Sequence, residues 1–268
     1  MLLVANHPFA QPAELPPPAR VSLLGIDVDA VDMRQTIDTI LTWLASPRDR
    51  CRYVVTPNVD HLVLLQQHLG LRQAYSAADL VLADGWPVVW ASRILGTPLP
   101  ERVPGSDLVP LLFAAQRPMS VFLLGAAPGV AERAAARIHA RWPNVRVVGT
   151  HSPPLGFEAS VPENQQILAR LQAARPDLLV VGLGAPKQEV WVHAHAAEIP
   201  AKVALCVGGT IDFLAGHRRR APRWIQRCGL EWLFRVICEP RRLAARYARD
   251  AMIFPRLVGH AWRQGRRS

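Results

Sequence analysis

Glycines and polar side chains follow five short apolar runs of this 268-residue chain. Glycine lets a ligand approach the backbone closely, and carboxylates and amides bind or activate polar groups. We therefore predict a pocket for a polar ligand, with Gly125, Glu189, Gly208 and Asp212 among its binding residues. The five segments are Thr56 to Asn58, Asp84 to Gly85, Gly125 to Gly129, Gly182 to Glu189, and Gly208 to Asp212.

Asp84 is the residue of these segments best suited to acid–base chemistry. It follows the apolar run DLVLA and precedes Gly85 and Trp86, a setting that would partly desolvate its carboxylate and raise its basicity. A role as a helix N-cap is also open, because Asp is common before an apolar helix. The turn GAAPG, from Gly125 to Gly129, resembles a phosphate-binding loop, although a strand-to-helix turn also uses glycine.

We expect no metal site. Asp27-Val28-Asp29 matches the DxD metal motif, but it lies at the first element, before any of the five segments. The four cysteines form no CxxC pair and show no metal-ligand spacing. Their apolar surroundings predict reduced core thiols in a cytoplasmic protein.

Short apolar runs alternate with longer amphipathic stretches along the body of the chain. Strands are predicted at 52–56, 79–83, 120–125, 145–149, 177–182 and 203–207, and helices at 33–45, 59–68, 85–95, 106–116, 129–141, 163–174 and 187–197. Continuously apolar strands separated by helices of this length indicate an α/β fold: a Rossmann-like, mostly parallel sheet covered by helices on both faces. In such sheets ligands bind at the carboxyl ends of the strands, where the five segments lie.

The positive charge of the chain is concentrated at its end. Residues 217–268 contain 14 arginines and three acidic residues, a net charge of +11, whereas residues 1–216 have a net charge of −1. We predict a Rossmann-like body at residues 21–216 and a basic, helical C-terminal appendage at residues 217–268. Residues 1–20 are proline-rich without a basic start, and we expect a flexible tail there, not a signal peptide.

Tryptophan and aliphatic residues alternate with the arginines of the appendage at helical spacing, which predicts two amphipathic helices separated near Pro240. Arginine with tryptophan on one helix suits an anionic membrane interface. Packing of the apolar stripe on the body and binding of nucleic acid remain alternatives. No apolar run reaches the roughly 18 residues that a membrane span needs.

Seven motifs taken together resemble the WecG/TagA/CpsF family of bacterial glycosyltransferases, over about residues 20 to 250. They are TPNVDH (56–61), ADGWPVVWASRILG (83–96), ERVPGSDL (101–108), GLGAPKQEVW (182–191), VGGTIDFLAG (207–216), RRAPRW (219–224) and GLEWLFRVICEPRRLAARY (229–247). The resemblance implies an inverting transfer, without a metal or other cofactor, of a sugar from a UDP-sugar to a polyprenyl-diphosphate-linked saccharide. It places the enzyme at the cytoplasmic face of the inner membrane, in exopolysaccharide or cell-wall polymer synthesis.

The resemblance also assigns roles to individual residues. It implies that Asp84 is the general base, that Thr56 and Asn58 line the pocket, and that Gln188 binds substrate. The arginines that it marks for substrate or its diphosphate are Arg102, Arg220, Arg235 and Arg241. Val59-Asp60-His61 stand where several members have proline or alanine followed by glutamate, so both N-acetylmannosamine and glucose-type donors remain open.

Two alternatives belong to other classes of protein. An NAD-dependent oxidoreductase would explain the α/β sheet, but it expects a full GxGxxG motif and an acidic residue about 20 residues later. Asn144 and Val145 stand near that place. A nucleic-acid-binding protein would explain the basic end of the chain, although the resemblance predicts no nucleic acid partner. The oligomeric state stays open, with a homo-oligomer possible.

Overall fold

A six-stranded parallel sheet lies at the centre of the computed structural model, which describes residues 18–265. That part of the chain has eight strands: β1 (Arg20–Leu23), β2 (Ile26–Asp29), β3 (Arg52–Val55), β4 (Leu80–Val81), β5 (Met119–Gly125), β6 (Val145–His151), β7 (Leu178–Gly182) and β8 (Val203–Cys206). The sheet has the order β4–β3–β8–β7–β5–β6 and all of its pairs are parallel. β1 and β2 form a separate antiparallel hairpin.

Helices connect the strands of the sheet, so the predicted α/β fold class is confirmed. The first helix begins where its sequence directs, because Asp32 and Gln35 form a capping box at its N-terminus. In residues 18–265 the α-helices are α1 (Met33–Ala45), α2 (Val59–Leu64), α3 (Leu69–Ser76), α4 (Trp86–Ile94), α5 (Gly105–Phe113), α6 (Val130–Arg141), α7 (Val161–Ala174), α8 (Lys187–His195), α9 (Thr210–Leu214), α10 (Arg223–Arg227), α11 (Glu231–Cys238) and α12 (Pro240–Gly265).

Both faces of the sheet are buried, which explains the continuously apolar strands. Successive side chains of a strand point to opposite faces. Leu178 and Val180 of β7 therefore belong to one core cluster, while Leu179 and Val181 belong to the other, and all four are fully buried. Helices on both sides supply the remaining apolar residues, as a parallel sheet requires.

The β1–β2 hairpin, absent from the predicted strands, uses Asp29 to attach to the sheet. The Asp29 carboxylate is 2% exposed and accepts hydrogen bonds from the backbone N–H of Val81 at 2.7 Å and from Nε of Arg20 at 2.9 Å. Asp27 is exposed on the same strand. These contacts give Asp29 a structural role.

The basic appendage forms three helices, α10 to α12, where the sequence predicted two. The first predicted helix is interrupted at Gly229, whose φ of +74° suits glycine. A Cβ at this position would lie 3.2 Å from a ring carbon of Trp86. Leu243 of α12 is fully buried, and Phe254 and Val258 pack against the core of the body. The domain boundary near Gly216 stays a prediction.

The ends of the chain lie partly outside residues 18–265, including nearly all of the predicted tail at residues 1–20 and Arg266 and Arg267. Two cysteines, Cys51 and Cys206, are buried as predicted, but Cys228 and Cys238 are exposed. Among the described helices, none has both the length and the apolar character that crossing a bilayer would demand.

We predict that Asp29→Ala lowers the free energy of unfolding by about 1–3 kcal/mol, because it leaves the buried N–H of Val81 without an acceptor. Asp27→Ala is the matched control and should change the free energy of unfolding by no more than about 0.5 kcal/mol, since Asp27 is exposed. Urea unfolding followed by circular dichroism measures both. Equal unfolding midpoints for the two variants would contradict a structural role for Asp29.

Candidate active site

All five predicted segments meet at the carboxyl edge of the sheet, where they surround a cleft of about 780 Å³. The loop after β6, which the sequence analysis did not include, also contributes to its wall. Residues of the appendage close the remaining side. The walls include Thr56, Asn58, Asp84, Ala126 to Pro128, Ser152 to Leu155, Gly182 to Ala185, Lys187, Gln188, Val207 to Thr210, Asp212, Arg218, Arg235, Arg242 and Arg246.

A second, smaller cavity of about 130 Å³ adjoins the cleft. Body and appendage both line it, and its walls carry aromatic rings beside charged groups. Asn58, Asp84 and Arg235 line both cavities. Asp84 therefore stands between a wide polar space and a narrow aromatic one. The smaller cavity is lined mainly by Trp86, Arg102, Phe213, Glu231, Trp232, Tyr247 and Asp250.

The Asp84 carboxylate is placed for proton transfer. The backbone N–H of Asp84 donates to the carbonyl of Pro57 at 2.9 Å. This hydrogen bond joins Asp84 to the segment that contains Thr56 and Asn58. Gly85 occupies the N-cap position of α4, so Asp84 does not serve as the cap. Within residues 18–265 no group donates a hydrogen bond to the Asp84 carboxylate, which leaves its oxygens free to accept a proton from a ligand.

Burial raises the pKa of Asp84 to about 6, and the negative charge of Glu231 adds to the rise. The positive charges of Arg235 and Arg102 and the neighbouring His61 oppose it. The carboxylate is therefore ionised at neutral pH, yet it is a stronger base than an exposed aspartate. Glu231 belongs to α11, so the appendage influences the basicity of a residue in the body.

Gln188 ties two loops of the cleft together. Its side-chain oxygen accepts hydrogen bonds from the backbone N–H groups of Gly184 at 3.3 Å and Gly208 at 3.2 Å. Its Nε2 donates to Oε1 of Glu189 at 2.7 Å. Glu189 is fully buried, and its Oε2 has no hydrogen-bond partner in the described part of the chain. Glu189 thus orients the amide of Gln188 from behind the cleft.

His61 lines the cleft, although the sequence analysis did not select it. Its Nδ1 is 2.6 Å from the hydroxyl of the buried Tyr75, which has no other hydrogen-bond partner among residues 18–265. Burial raises the pKa of Tyr75, so the phenol stays neutral. Oε1 of the buried Glu189 lies 3.8 Å from the same Nδ1 of His61. The Nδ1 edge of His61 therefore contacts two buried residues.

The arginines of the cleft differ in their partners. Arg218 pairs with Asp212 and Glu239 at 3.7 and 3.6 Å, Arg242 pairs with Glu239 at 2.6 Å, and Arg246 pairs with Asp60 at 3.4 Å. Arg235 has no carboxylate within ion-pair distance among the described residues, and its guanidinium lies 5.9 Å from the Phe213 ring centroid. Arg235 is therefore the cleft arginine that is available to an anionic ligand.

The predicted binding residues fall into two groups. Thr56, Asn58, Arg102, Gln188, Gly208, Asp212 and Arg235 line one or both cavities with Asp84. Gly125, Glu189, Arg220 and Arg241 are not part of either wall. Their contact with substrate stays a prediction.

Each residue of the second group has a different surrounding. Gly125 packs against Gly182, where a Cβ would lie 2.5 Å from backbone atoms. Arg220 pairs with Asp107 at 2.5 Å and with Glu231 at 3.6 Å. Arg241 is exposed on α12.

Asp60 and the appendage aromatic residues of the smaller cavity, Trp232 and Tyr247, were not predicted as site residues. Asp60 forms ion pairs with Arg246 and Arg249 of α12, so it holds the appendage against α2 at the rim of both cavities. Trp232 and Tyr247 bring aromatic rings from the appendage, with centroids 6.1 Å apart. Their presence in the motif GLEWLFRVICEPRRLAARY was visible, but their direction depends on how the appendage packs.

No cluster of three or more His, Cys, Asp or Glu residues suited to a metal ion occurs between residues 18 and 265. Asp29 of the DxD motif is engaged by Val81 and Arg20. Glu231, the carboxylate whose charge raises the pKa of Asp84, is itself paired with arginines. Glu231 lies 3.8 Å from Arg102 and 3.6 Å from Arg220.

A family model described as "Glycosyl transferase WecG/TagA/CpsF family" matches residues 21–268. Two similar proteins come from Staphylococcus aureus, strains MRSA252 and NCTC 8325 / PS 47, and both are named N-acetylglucosaminyldiphosphoundecaprenol N-acetyl-beta-D-mannosaminyltransferase. Each is 32% identical over 227 residues, which cover 84% of this chain and 87% of the relative.

Proposed function

The chain belongs to the WecG/TagA/CpsF family of glycosyl transferases, and from this premise we propose that it transfers a sugar from a UDP-sugar to a polyprenyl-diphosphate-linked saccharide. The predicted family and enzyme class are confirmed, and the chain is a glycosyltransferase. The oxidoreductase and nucleic-acid-binding alternatives do not account for this match. The observation that carries the proposal is the position of Asp84 between the two cavities.

The wide cleft is assigned to the UDP-sugar. Its volume and its glycine-rich loops suit a nucleotide whose phosphates approach the backbone. Ala126 to Pro128 of the GAAPG turn line it directly before α6, where free N–H groups favour negative charge. His61, Thr56 and Asp212 add polar side chains to the same wall, and Gly208 lets a ligand approach the backbone closely.

The smaller cavity is assigned to the acceptor sugar. Trp86, Trp232 and Tyr247 offer aromatic faces against which the C–H face of a sugar ring can pack. Arg102 and Glu231 offer groups that bind hydroxyls. An acceptor in this cavity has a hydroxyl beside Asp84, while the anomeric carbon of the donor approaches from the wide cleft.

Asp84 acts as the general base in this arrangement. It takes the proton of the acceptor hydroxyl while that oxygen forms a bond to the anomeric carbon of the donor. The bond from the anomeric carbon to the β-phosphate oxygen breaks at the same time, and UDP leaves from the opposite face. Attack from one face with departure from the other inverts the anomeric configuration.

Stabilisation of the leaving diphosphate is assigned to arginine and backbone N–H groups, without a metal or other cofactor. Negative charge grows on the β-phosphate as the bond breaks, and fixed donors that point at this charge lower the barrier. Arg235 is available for this task because it is not paired with a carboxylate in the described part of the chain. Arg220 contributes indirectly, because it positions Asp107 and Glu231 by its ion pairs with them.

Docking on the anionic cytoplasmic face of the inner membrane is assigned to the appendage. Arg219, Arg241, Arg256 and Arg263 are exposed and have no ion-pair partner in residues 18–265. If about five arginines of the appendage meet anionic lipid at roughly 1 kcal/mol each, the attraction is about 5 kcal/mol. That energy supports reversible, peripheral binding during exopolysaccharide or cell-wall polymer synthesis.

The function is tested by incubating the purified protein with N-acetylglucosaminyl-diphospho-undecaprenol and, in separate reactions, UDP-N-acetylmannosamine, UDP-N-acetylglucosamine and UDP-glucose. Mass spectrometry of the lipid product identifies the sugar that is transferred, and NMR gives its anomeric configuration. We expect transfer from one of these donors with inversion, and unchanged rates in EDTA. Absence of transfer from every UDP-sugar contradicts the proposed function, and a loss in EDTA that Mg²⁺ restores contradicts its metal independence.

Replacement of the base should lower turnover while the protein remains folded. We predict that Asp84→Asn reduces kcat by roughly 10²- to 10⁴-fold, the usual effect of losing a general base. Thermal unfolding followed by circular dichroism should match the wild type within a few degrees. A kcat close to that of the wild type would rule out Asp84 as the base.

The rate should also depend on pH through Asp84. Because its pKa is about 6, kcat/KM should be level above pH 7 and fall about tenfold per pH unit well below pH 6, as the base becomes protonated. Glu231→Gln removes a negative charge that raises this pKa, so the fall should move to lower pH. Glu239→Gln removes an appendage carboxylate that pairs with Arg218 and Arg242 instead, and it should leave the position of the fall unchanged. Identical profiles for both variants would contradict the influence of Glu231.

Arg235 should contribute more to kcat than an exposed arginine of the same appendage. We predict that Arg235→Ala lowers kcat by roughly 10²- to 10³-fold, because it removes a donor to the leaving diphosphate. Arg235→Lys should recover only part of the rate, since lysine retains the charge without the bidentate geometry. Arg256→Ala is the matched control and should change kcat in detergent solution less than twofold. Equal effects of Arg235→Ala and Arg256→Ala would contradict the assignment.

A further inference from the structure

Several exposed large apolar side chains lie on the appendage, and two more lie on one helix of the body. In the appendage they include Trp224, Leu230, Trp232, Leu233 and Ile237. In the body, α4 exposes 51% of Trp90 and 58% of Ile94. Apolar side chains exposed to water do not stabilise a protein, so a cluster of them on its surface indicates contact with an apolar ligand.

Trp86, Trp90 and Ile94 form a continuous stripe along α4. Residues four apart lie on the same face of a helix, and the Trp86 and Trp90 ring centroids are 6.4 Å apart. Trp86 lines the smaller cavity beside Asp84. The stripe therefore begins at the wall of this cavity and runs about 12 Å outwards to an exposed end, at 1.5 Å per residue.

The appendage continues the same apolar surface. The indole N–H of Trp86 donates to the carbonyl of Gln226 at 3.2 Å, and Gly229 packs on the Trp86 ring. Leu230, the next residue, is 41% exposed, and Trp232 is 44% exposed while it also lines the smaller cavity. We call Trp86, Trp90, Ile94, Leu230 and Trp232 the apolar track.

We propose that the apolar track binds the first isoprene units of the acceptor's polyprenyl chain. The proposal rests on the proposed function, which places the acceptor sugar in the smaller cavity. A polyprenyl chain attached through a diphosphate must leave that cavity, and the track is the apolar surface that is continuous with its wall. Contact with a bilayer would not require the exposed stripe to join the wall of a cavity, as it does through Trp86 and Trp232.

The test compares acceptors that differ only in chain length. N-acetylglucosamine diphosphate linked to undecaprenyl, farnesyl or methyl groups is assayed in detergent with the donor that gives the highest rate. Wild type should show a higher kcat/KM for the longer chains. Trp90→Ala with Ile94→Ala should reduce this preference by roughly tenfold or more, because each removed side chain loses apolar contact area, and should leave kcat/KM for the methyl acceptor unchanged.

Leu69→Ala with Val161→Ala is the matched control. These residues are 70% and 66% exposed, on α3 and α7 respectively, and neither lines a cavity. The control should keep the wild-type chain preference. An unchanged chain-length preference in the α4 double variant overturns the proposal. If that variant loses only its binding to phosphatidylglycerol vesicles, the stripe is a bilayer contact and the proposal is also overturned.

A binding measurement separates this proposal from the proposed function. Undecaprenyl diphosphate, which carries no sugar, is titrated into wild type and both double variants in detergent. We expect about tenfold weaker binding only in the α4 variant, whether or not the enzyme transfers any sugar. Equal affinities, or no binding to wild type, overturn the track, whereas failure of every glycosyl transfer with intact lipid binding contradicts only the proposed function.

Discussion

Removal of water from the Asp84 carboxylate is the constraint on which the rest of the site depends. The carboxyl edge of the sheet is an open rim, and a carboxylate there would ordinarily have a low pKa. Trp232 and Tyr247 of the appendage line the smaller cavity beside Asp84, and burial raises the pKa of the Asp84 carboxyl to about 6. The body thus supplies the carboxylate, and the appendage supplies part of its surroundings, including the negative charge of Glu231 that adds to the rise.

The arginines of the appendage have two physical roles that the net charge of the segment does not separate. Arg218, Arg220, Arg246 and Arg249 pair with the body carboxylates Asp60, Asp107 and Asp212 and hold the appendage in place. Charge used in this way is no longer free to attract phosphate or lipid. Arg235 and the exposed arginines remain for such contacts, so the excess of +11 overstates the attraction to an anionic surface.

The two cavities differ in chemistry because they come from different parts of the chain. The wide cleft is built from the loops after the strands, where glycines and N–H groups surround a polar space. The smaller cavity needs rings from α4 and from the appendage. Gln188 joins the Gly184 and Gly208 loops of the cleft, while Asp60 holds α12 at the rim of the smaller cavity by ion pairs.

The sequence by itself determined the sheet, most helices and the segments at its carboxyl edge. These features follow from local patterns: continuous apolar strands, the capping box of α1, and glycine or polar residues after the strands. The interruption of the appendage helix at Gly229 was not predicted; this glycine has a φ of +74° and packs on Trp86, which is distant in sequence. Gln188 and Glu189 are adjacent in sequence and both are buried, yet only the tertiary structure decided that Gln188 lines the cleft and Glu189 does not. The tertiary structure also decided the ion-pair partners. Among the described residues Arg220 is paired and Arg235 is not, because distant carboxylates lie beside Arg220 and not beside Arg235. Local periodicity encodes the elements, whereas burial and pairing depend on residues more than a hundred positions apart.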